Sequence, residues 1–179
     1  MKPECECAEE EKIETKEKDA LRIVRKNMLW AMGLGAIPLP LVDLVAVTGF
    51  QAKALKELSD LYEVPFLRHS VKNILASLLS GFGAVTFGTS LAFSLFKAFP
   101  VLGPVATFTA TPIMAAALTY ATGKVFIQHF ESGGTFLSFN PQKVREYFKE
   151  QYTEGIKVAT EMGKAKTGEG KESSRKKEK

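Results

Sequence analysis

The sequence predicts an all-α protein in which an antiparallel transmembrane helical hairpin is flanked by amphipathic cytoplasmic helices and disordered termini. Residues 73 to 123 contain a single charged side chain, Lys97. On both sides of this stretch, apolar residues recur at the spacing of a helix face. The other charges gather at the ends: residues 1 to 20 carry four Lys against eight acidic residues, and residues 164 to 179 carry seven Lys or Arg against three Glu.

Composition predicts the domain organisation. A chain of 179 residues with 45% hydrophobic content is expected to form one folded unit. We expect a disordered acidic tail over 1–18, a helical membrane module over 19–162 with its hairpin at about 73–123, and a disordered basic tail over 163–179. The sequence pI of about 9.0 does not predict nucleic-acid binding, because the basic tail has no interleaved aromatic side chains.

The cysteines and the N-terminus bear on the compartment. Cys5 and Cys7 are too close in sequence for a stable disulfide and lack further ligands for structural zinc, so they predict a reducing compartment. The first residues lack the positive and apolar regions of a signal peptide. Both termini are therefore expected in the cytoplasm. Arg68, Lys72 and Lys124 flank the apolar stretch and favour the same side of the membrane.

A basic amphipathic helix is predicted from residue 19 onward. Its apolar face is formed by Leu21, Val24, Met28, Leu29 and Met32. Its polar side carries the residues that we expect to contact membrane lipid, Arg22, Arg25 and Lys26. The glycines and prolines of 33–40 end this helix, because both residue types are unfavourable in a helix interior.

A second helix is predicted from Pro40 to about Tyr62. Pro40 suits the first helical position, and Asp43 in the first turn complements the positive end of the helix dipole. Gln51 lies in the apolar region of this helix. We expect its side chain to hydrogen-bond locally or to a neighbouring helix, because buried polar groups are normally paired.

The central stretch divides into two uncharged runs, 73–96 and 98–123, of 24 and 26 residues. Each is long enough to cross a hydrocarbon core of about 30 Å, which takes about 20 helical residues. Pro100, Gly103 and Pro104 mark the turn between them. So short a connection predicts two antiparallel neighbouring helices whose outer ends lie on one side of the bilayer.

Small side chains recur at every fourth position of both runs, which places them on one helix face. They are Ala76, Ser80, Ala84, Gly88 and Ala92 in the first run, and Thr107, Thr111, Ala115, Thr119 and Gly123 in the second. Such faces let helix backbones approach closely in lipid, so we predict helix packing along them. The alternative is that a composition rich in small residues produces the pattern by chance.

A last helix is predicted after a break at 131–134. Asn140 is expected to cap it, and Pro141 to occupy its first position. Its aromatic face holds Tyr147, Phe148 and Tyr152, which are residue types enriched in protein interfaces. We predict that these three contribute to docking of a partner, with packing on the second helix as the alternative.

No residue pattern predicts catalysis. The glycines of 81–83 are not followed by the Lys-Ser/Thr of a nucleotide-binding loop. His69 and His129 lack a partner at metal-ligand spacing, and no Ser, Cys or Asp stands in a nucleophile motif. We therefore expect a protein that is not an enzyme, with no catalytic, metal-binding or cofactor-binding residue and no cofactor.

One segment carries a resemblance to a known family. Residues 36–43 read Ala-Ile-Pro-Leu-Pro-Leu-Val-Asp, and Phe-Glu-Ser-Gly-Gly follows later at 130–134. These motifs resemble the YcjF-like family of uncharacterised bacterial proteins, whose signature is an Ile-Pro-x-Pro-x-x-Asp turn followed by a helix with Gln. The matching residues of the turn motif are Pro38, Pro40, Asp43 and Gln51.

The resemblance implies a helical protein of the bacterial inner (cytoplasmic) membrane. Members of the family occur beside GTPase domains or fused to them. This chain has no GTPase domain of its own, so the resemblance implies a GTPase as a partner in trans.

Three hypotheses for function remain open. The first is a non-catalytic membrane-embedded helical module that anchors or scaffolds a cytoplasmic partner such as a GTPase. The second is a self-associating, membrane-shaping or pore-forming protein, which would act as a homo-oligomer. The third is a soluble helical binding domain, in which the flanking amphipathic helices cover the hairpin.

Overall fold

The computed structural model describes the backbone of residues 3–34, 42–88 and 103–177, and the side chains of 13–33, 49–78, 80 and 112–165. Within these ranges there are five helices and no strand. The helices are α1 (Pro3–Leu34), α2 (Val42–Leu61), α3 (Arg68–Gly88), α4 (Gly103–Glu131) and α5 (Arg145–Lys177). The prediction of an all-α fold is confirmed.

Helix α4 lies at the centre of the bundle. It packs against α1, α2 and α5, while α3 packs against α2 and α5. A helix at the surface of a globular protein usually buries one face, but every residue of α4 over 115–127 is buried or partly buried. Its buried residues there are Ala115, Ala116, Ala117, Thr119, Ala121, Thr122, Gly123, Val125, Phe126 and Ile127. The small side chains among them allow three helices to approach the α4 backbone.

Glycines mark the closest approaches to α4. A Cβ atom at Gly155 of α5 would lie 2.9 Å from both the Cα and the carbonyl oxygen of Ala117. A Cβ at Gly123 would meet the side chain of Val24 in α1, with Cγ1 3.0 Å away. These two contacts fix how closely α5 and α1 pack on the central helix.

The contacts between α1 and α2 show that these helices run antiparallel. Asn27 of α1 donates a hydrogen bond to Glu57 of α2 over 3.0 Å. Trp30 lies later in α1, and its ring is 5.9 Å from the ammonium of Lys53, which lies earlier in α2. Helix α1 therefore ends at the end of the bundle where α2 begins.

Two further contacts fix the directions of α3 and α4. Tyr62, which follows α2, bonds to Glu131, the last residue of α4, so α2 and α4 end together. Phe66 precedes α3 and contacts Phe136, which follows α4, so α3 begins at that same end. We call this the aromatic end of the bundle. At the opposite end α1 ends, and α2 and α4 begin. We call it the apolar end, because α3 runs toward it and leads into the almost uncharged sequence over 81–111.

Six aromatic side chains join the connections at the aromatic end: Tyr62, Phe66, Phe126, Phe130, Phe136 and Phe139. The rings of Phe126 and Phe139 stack at 4.5 Å with an interplanar angle of 6°. Phe130 and Phe136 meet edge to face at 5.3 Å. Aromatic pairs contribute about 0.5–1.5 kcal/mol each beyond burial of their area. This cluster fixes the segment 132–144 to the ends of α2 and α4.

Two observations bear on the predicted hairpin and tails. Among the described residues, none of the helices combines the length and the apolar character needed to cross a membrane. The predicted turn partly falls in 89–102, outside the described residues. Helix α1 begins at Pro3 and α5 continues to Lys177, inside the ranges predicted as tails. Glu, Lys and Ala favour helices intrinsically, whereas the prediction considered only the apolar surface available for burial.

Candidate functional site

An exposed stripe of basic and apolar side chains runs along α1 toward the apolar end. Its members are Arg22, Arg25, Lys26, Leu29 and Trp30. Their spacing by three or four residues places them on one helix face. Trp30 is 56% exposed, which is high for the largest apolar side chain. The stripe combines cationic groups with an amphipathic ring, the composition typical of a helix at a lipid surface.

The ion pairs of this stripe leave it cationic. Arg22 pairs with Asp19 at 2.8 Å. Lys26 lies 3.6 Å from Glu57, which also has Lys53 at 3.8 Å. Sequence analysis identified the three basic residues but assigned Leu29 to the buried face and did not consider Trp30. The helical spacing could have identified Trp30, since it lies four residues after Lys26 and therefore on the same face of the helix.

Two polar side chains, one in α1 and one in α2, are fully buried. Asn27 is fully buried and donates from Nδ2 to the carbonyl of Ile23 and to Glu57. Gln51 is also fully buried, yet neither Nε2 nor Oε1 has a hydrogen-bond partner among the described residues. The expected hydrogen bond of Gln51 is therefore not present among the described residues, and its pairing stays a prediction. An unpaired buried amide destabilises a fold by about 1–3 kcal/mol.

A groove of about 510 Å³ lies between α3 and the start of α5. Its lining residues are Ser77, Leu78, Ser80, Phe139, Asn140, Pro141, Gln142, Arg145 and Phe148. The floor is apolar, since Leu78, Phe139 and Phe148 are each 9% exposed or less. Among the described lining residues the rim is polar and carries one cation and no carboxylate.

Local hydrogen bonds build the α5 side of the groove. The Oδ1 atom of Asn140 accepts from the backbone N–H of Gln142 at 3.0 Å and of Lys143 at 3.4 Å. Asn140 therefore caps the turn over 141–144 and not the helix itself, which begins only at Arg145. Glu146 pairs with Lys149 at 2.8 Å. Within the described residues, no acidic side chain pairs with Arg145.

The turn after α4 holds a histidine in a structural role. Gly133 has a φ of 74°, a conformation that glycine adopts without strain. A Cβ at Gly134 would collide with the ring of His129. The Nε2 atom of His129 lies 2.9 Å from the carbonyl of Thr135, which requires it to be the donor, and 3.5 Å from Ser138 Oγ. A nitrogen that donates to a carbonyl cannot take a proton from Ser138.

Tyr62 and Glu131 form a link between α2 and α4 at the aromatic end. The Tyr62 hydroxyl donates to Glu131 Oε1 over 2.8 Å. Burial and this hydrogen bond to a carboxylate raise the pKa of Tyr62 above its ordinary value. The pair therefore holds the two helix ends together while Tyr62 remains protonated.

The structure divides the predicted small-residue faces. Ala115, Thr119 and Gly123 are buried in the bundle, whereas Ala76 and Ser80 are exposed. The side chains of Ala84, Gly88, Thr107 and Thr111, and residue Ala92, lie outside the described ones. Thr119 donates its hydroxyl to the carbonyl of Ala115 at 2.9 Å. Gly123 of this α4 face lies against Val24 of α1.

Two of the three residues predicted to dock a partner are in the core. Phe148 is 2% exposed and Tyr152 is 8% exposed, while Tyr147 is half-buried. Helix α5 packs mainly on α4 and also on α3, whereas the predicted alternative was packing on the second helix. In this fold Phe148 and Tyr152 cannot meet a partner without unpacking α5.

The turn motif is only partly within the described structure. Pro38 and Pro40 lie outside the described residues, as does the side chain of Asp43. The backbone of Asp43 is in the first turn of α2, the position that the helix-dipole argument assigns to it. Gln51 is the one residue of the motif whose side chain is described.

The geometry defines a helical bundle with two candidate binding surfaces, the α1 stripe and the groove. No three His, Cys, Asp or Glu side chains of the described residues are grouped to hold a metal ion. The chain belongs to the family described as a domain of unknown function (DUF697), which matches residues 5–156. The name YcjF-like remains a prediction.

One relative of known name is similar over most of its length. The chain is 32% identical over 143 residues to magnetosome membrane protein 22 of Magnetospirillum gryphiswaldense, a match that covers 80% of this chain and 73% of that protein. No solved structure matches the chain.

Proposed function

We propose that the chain is a non-catalytic, membrane-embedded helical module of the bacterial inner membrane, with its bundle and both termini in the cytoplasm. The observation that carries this proposal is the burial of α4 over 115–127. Protein covers the last part of the uncharged stretch, which leaves 81–111, with Lys97 as its single charge, as the part that enters the bilayer.

The length of this segment favours a hairpin that enters the bilayer without crossing it. Residues 81–96 and 98–111 provide arms of 16 and 14 residues. A helix that crosses the hydrocarbon core needs about 20 residues, and both runs are shorter. A hydrocarbon core is about 30 Å thick, and apolar segments of this length are typical of re-entrant structures. The proposed embedded part is thus shorter than the predicted hairpin over 73–123.

The distribution of charge supports the apolar end as the membrane-facing end. Leu29 and Trp30 are exposed on α1 near this end, and Trp is enriched at membrane interfaces. Gly163 of α5 lies beside Met32 of α1 near this end, and the basic continuation of α5 over 164–179 would attract anionic lipid. The acidic first turns of α1 extend in the opposite direction. The name of the relative, a magnetosome membrane protein, supports membrane association.

The partner that we propose is a cytoplasmic protein, with a GTPase as the class implied by the resemblance. In this orientation the aromatic end points away from the membrane. Leu137 there is 78% exposed and Leu67 is 36% exposed. They directly follow Phe136 and Phe66, whose rings lie 5.8 Å apart, and exposed apolar surface can mark a protein interface. We therefore move the proposed docking surface from Phe148 and Tyr152 to these two leucines.

The same burial of α4 also favours a second candidate, a helical binding domain that holds its apolar stretch inside protein. The two candidates differ in how the chain leaves membranes. A module held by 81–111 should stay in the membrane pellet after a high-salt wash and after alkaline carbonate, whereas a domain that only adheres to the surface should be released. Helix content should be recorded after the alkaline step.

A pair of variants sharpens the test. Phe93→Lys places a charge in the middle of the apolar stretch, where a Lys costs about 2.5–3.5 kcal/mol at the centre of a membrane helix. Leu137→Lys makes a similar change at the aromatic end. We expect Phe93→Lys to increase release by carbonate and Leu137→Lys to leave it unchanged. Equal release of both variants would contradict the proposal.

A further inference from the structure

The groove between α3 and α5 adjoins the proposed docking surface at the aromatic end. Its lining includes Phe139 and Asn140, which belong to the segment that the aromatic cluster fixes at this end. Leu137, which is 78% exposed, lies two residues before Phe139 in the same segment. Because this end points away from the membrane in the proposed orientation, a molecule of the cytoplasm would occupy the groove.

Arg145 gives the groove a positive charge. Its side chain is exposed on the rim, and the described lining residues include no Asp or Glu. The adjacent carboxylate, Glu146, pairs with Lys149 at 2.8 Å. A carboxylate brought by a partner would therefore meet the guanidinium without competition from the described lining, and the planar fork of Arg can donate two parallel hydrogen bonds to it.

The floor and the rim of the groove indicate the size of the occupant. The floor is apolar, since Leu78, Phe139 and Phe148 form it, and it suits an apolar side chain. A small-molecule site encloses most of its ligand, whereas the polar rim here is exposed to water at Ser77, Ser80, Asn140, Gln142 and Arg145. An occupant would stay partly in solvent, as a side chain at the edge of a larger protein contact does.

From the cation on the rim, the apolar floor and the neighbouring exposed leucine, we propose that the groove binds an acidic amphipathic segment of a cytoplasmic partner protein. A carboxylate of this segment pairs with Arg145, and an apolar side chain three or four residues away, on the same face of a helix, lies on the floor. The inference rests on the proposed docking of a partner at the aromatic end, and it names the chemistry of that partner.

Selection from short random peptides displayed on phage tests this chemistry, with the full chain in neutral-detergent micelles as the target. Arg145→Glu reverses the charge on the rim, and Lys157→Glu reverses an exposed charge elsewhere on α5 as the matched control. The unmodified chain and Lys157→Glu should enrich peptides with Asp or Glu close to an apolar residue, whereas Arg145→Glu should enrich Lys or Arg at the charged position. Selection without acidic enrichment, or equal selection by the two variants, would overturn the proposal.

Fluorescence anisotropy of a labelled peptide from this selection then locates its binding. Ser77→Trp fills the groove from an exposed position, and Ala76→Trp adds the same ring at an exposed neighbour outside the lining. Ser77→Trp should remove most of the affinity and Ala76→Trp should leave it unchanged. Arg145→Gln should weaken binding about fivefold, which corresponds to ~1 kcal/mol. Equal effects of the two Trp variants, at equal helix content and thermal unfolding, would contradict binding in the groove.

Three further outcomes separate this proposal from its alternatives. Residues 4–11 hold five Glu and no basic residue, so tight binding of a labelled 1–18 peptide, with dimers in light scattering, would replace the partner by a second copy and overturn the proposal. Loss of peptide binding in Leu137→Ser but not in Arg145→Gln would refute the groove and retain the docking surface. Release of the unmodified chain by carbonate would refute the membrane module alone.

Discussion

Replacement of Gly155 by alanine tests how α5 packs on the central helix. The added Cβ would lie 2.9 Å from the Cα and carbonyl oxygen of Ala117, whereas carbon atoms in contact lie about 3.5–4.0 Å apart. The backbone of α4 cannot rotate away as a side chain could. Helix α5 must therefore move outward by a substantial part of an ångström, and such overpacking costs about 1–3 kcal/mol.

Gly163→Ala is the matched control on the same helix. A Cβ at Gly163 would lie 3.6 Å from Met32 Cε, an ordinary contact, so only the gain in helix propensity of about 1 kcal/mol remains. The same gain applies to Gly155→Ala. The free energies of unfolding of the two variants should therefore differ by about 1–3 kcal/mol, with Gly155→Ala the less stable.

Denaturant unfolding of the full chain in neutral detergent, followed by circular dichroism, measures this difference. For a chain of this size, 1 kcal/mol corresponds to a shift of roughly 2–4 °C in Tm. Equal stability of the two variants, or greater stability of Gly155→Ala, would show that α5 does not approach α4 as described.

Three further predictions concern the core and the aromatic end. Gly123→Ala should destabilise the bundle, because the added methyl group would meet Val24. In a double-mutant cycle, Val24→Ala should restore part of this loss, with a coupling energy of about 0.5–3 kcal/mol. Additive effects of the two substitutions would contradict that contact. Gln51→Met should increase the free energy of unfolding by about 1–3 kcal/mol, because it removes a buried amide without a described partner; a loss of stability in urea titration would show that the amide is satisfied. Because the pKa of Tyr62 is raised in the fold, its stabilising effect is present below the unfolded pKa of about 10 and is lost as pH rises above it. Tyr62→Phe should therefore lessen the loss of stability in alkaline denaturation profiles, and an unchanged profile would contradict this.

The positions of the helices could be predicted from the sequence better than the surfaces against which they pack. Helical periodicity located α2 to within a few residues, and Asn140 and the glycines after Glu131 located the break before α5, because these signals depend on local backbone chemistry. Apolar content alone could not distinguish a core helix from a lipid-facing one. Both bury uncharged side chains, and only the contacts of α1 and α5 with α4 show that residues 115–127 are covered by protein.

The candidate surfaces were predicted in part. Arg22, Arg25 and Lys26 were identified because charge marks the exposed face of a helix directly. The groove was not predicted, since Ser77 and Arg145 are distant in sequence and no local pattern joins them. Phe148 and Tyr152 were assigned to docking because an aromatic face looks the same whether it meets a partner or the core.

The lone tryptophan of the chain tests the central claim, that the bundle is held against a bilayer at its apolar end. Trp30 is 56% exposed near this end, so its fluorescence reports contact with lipid without any substitution. In vesicles of the full chain, we predict a blue-shifted emission, quenching by lipids brominated near the headgroup more than near the chain end, and protection from aqueous iodide. Emission that is unshifted, unaffected by brominated lipid and fully quenched by iodide would contradict the account.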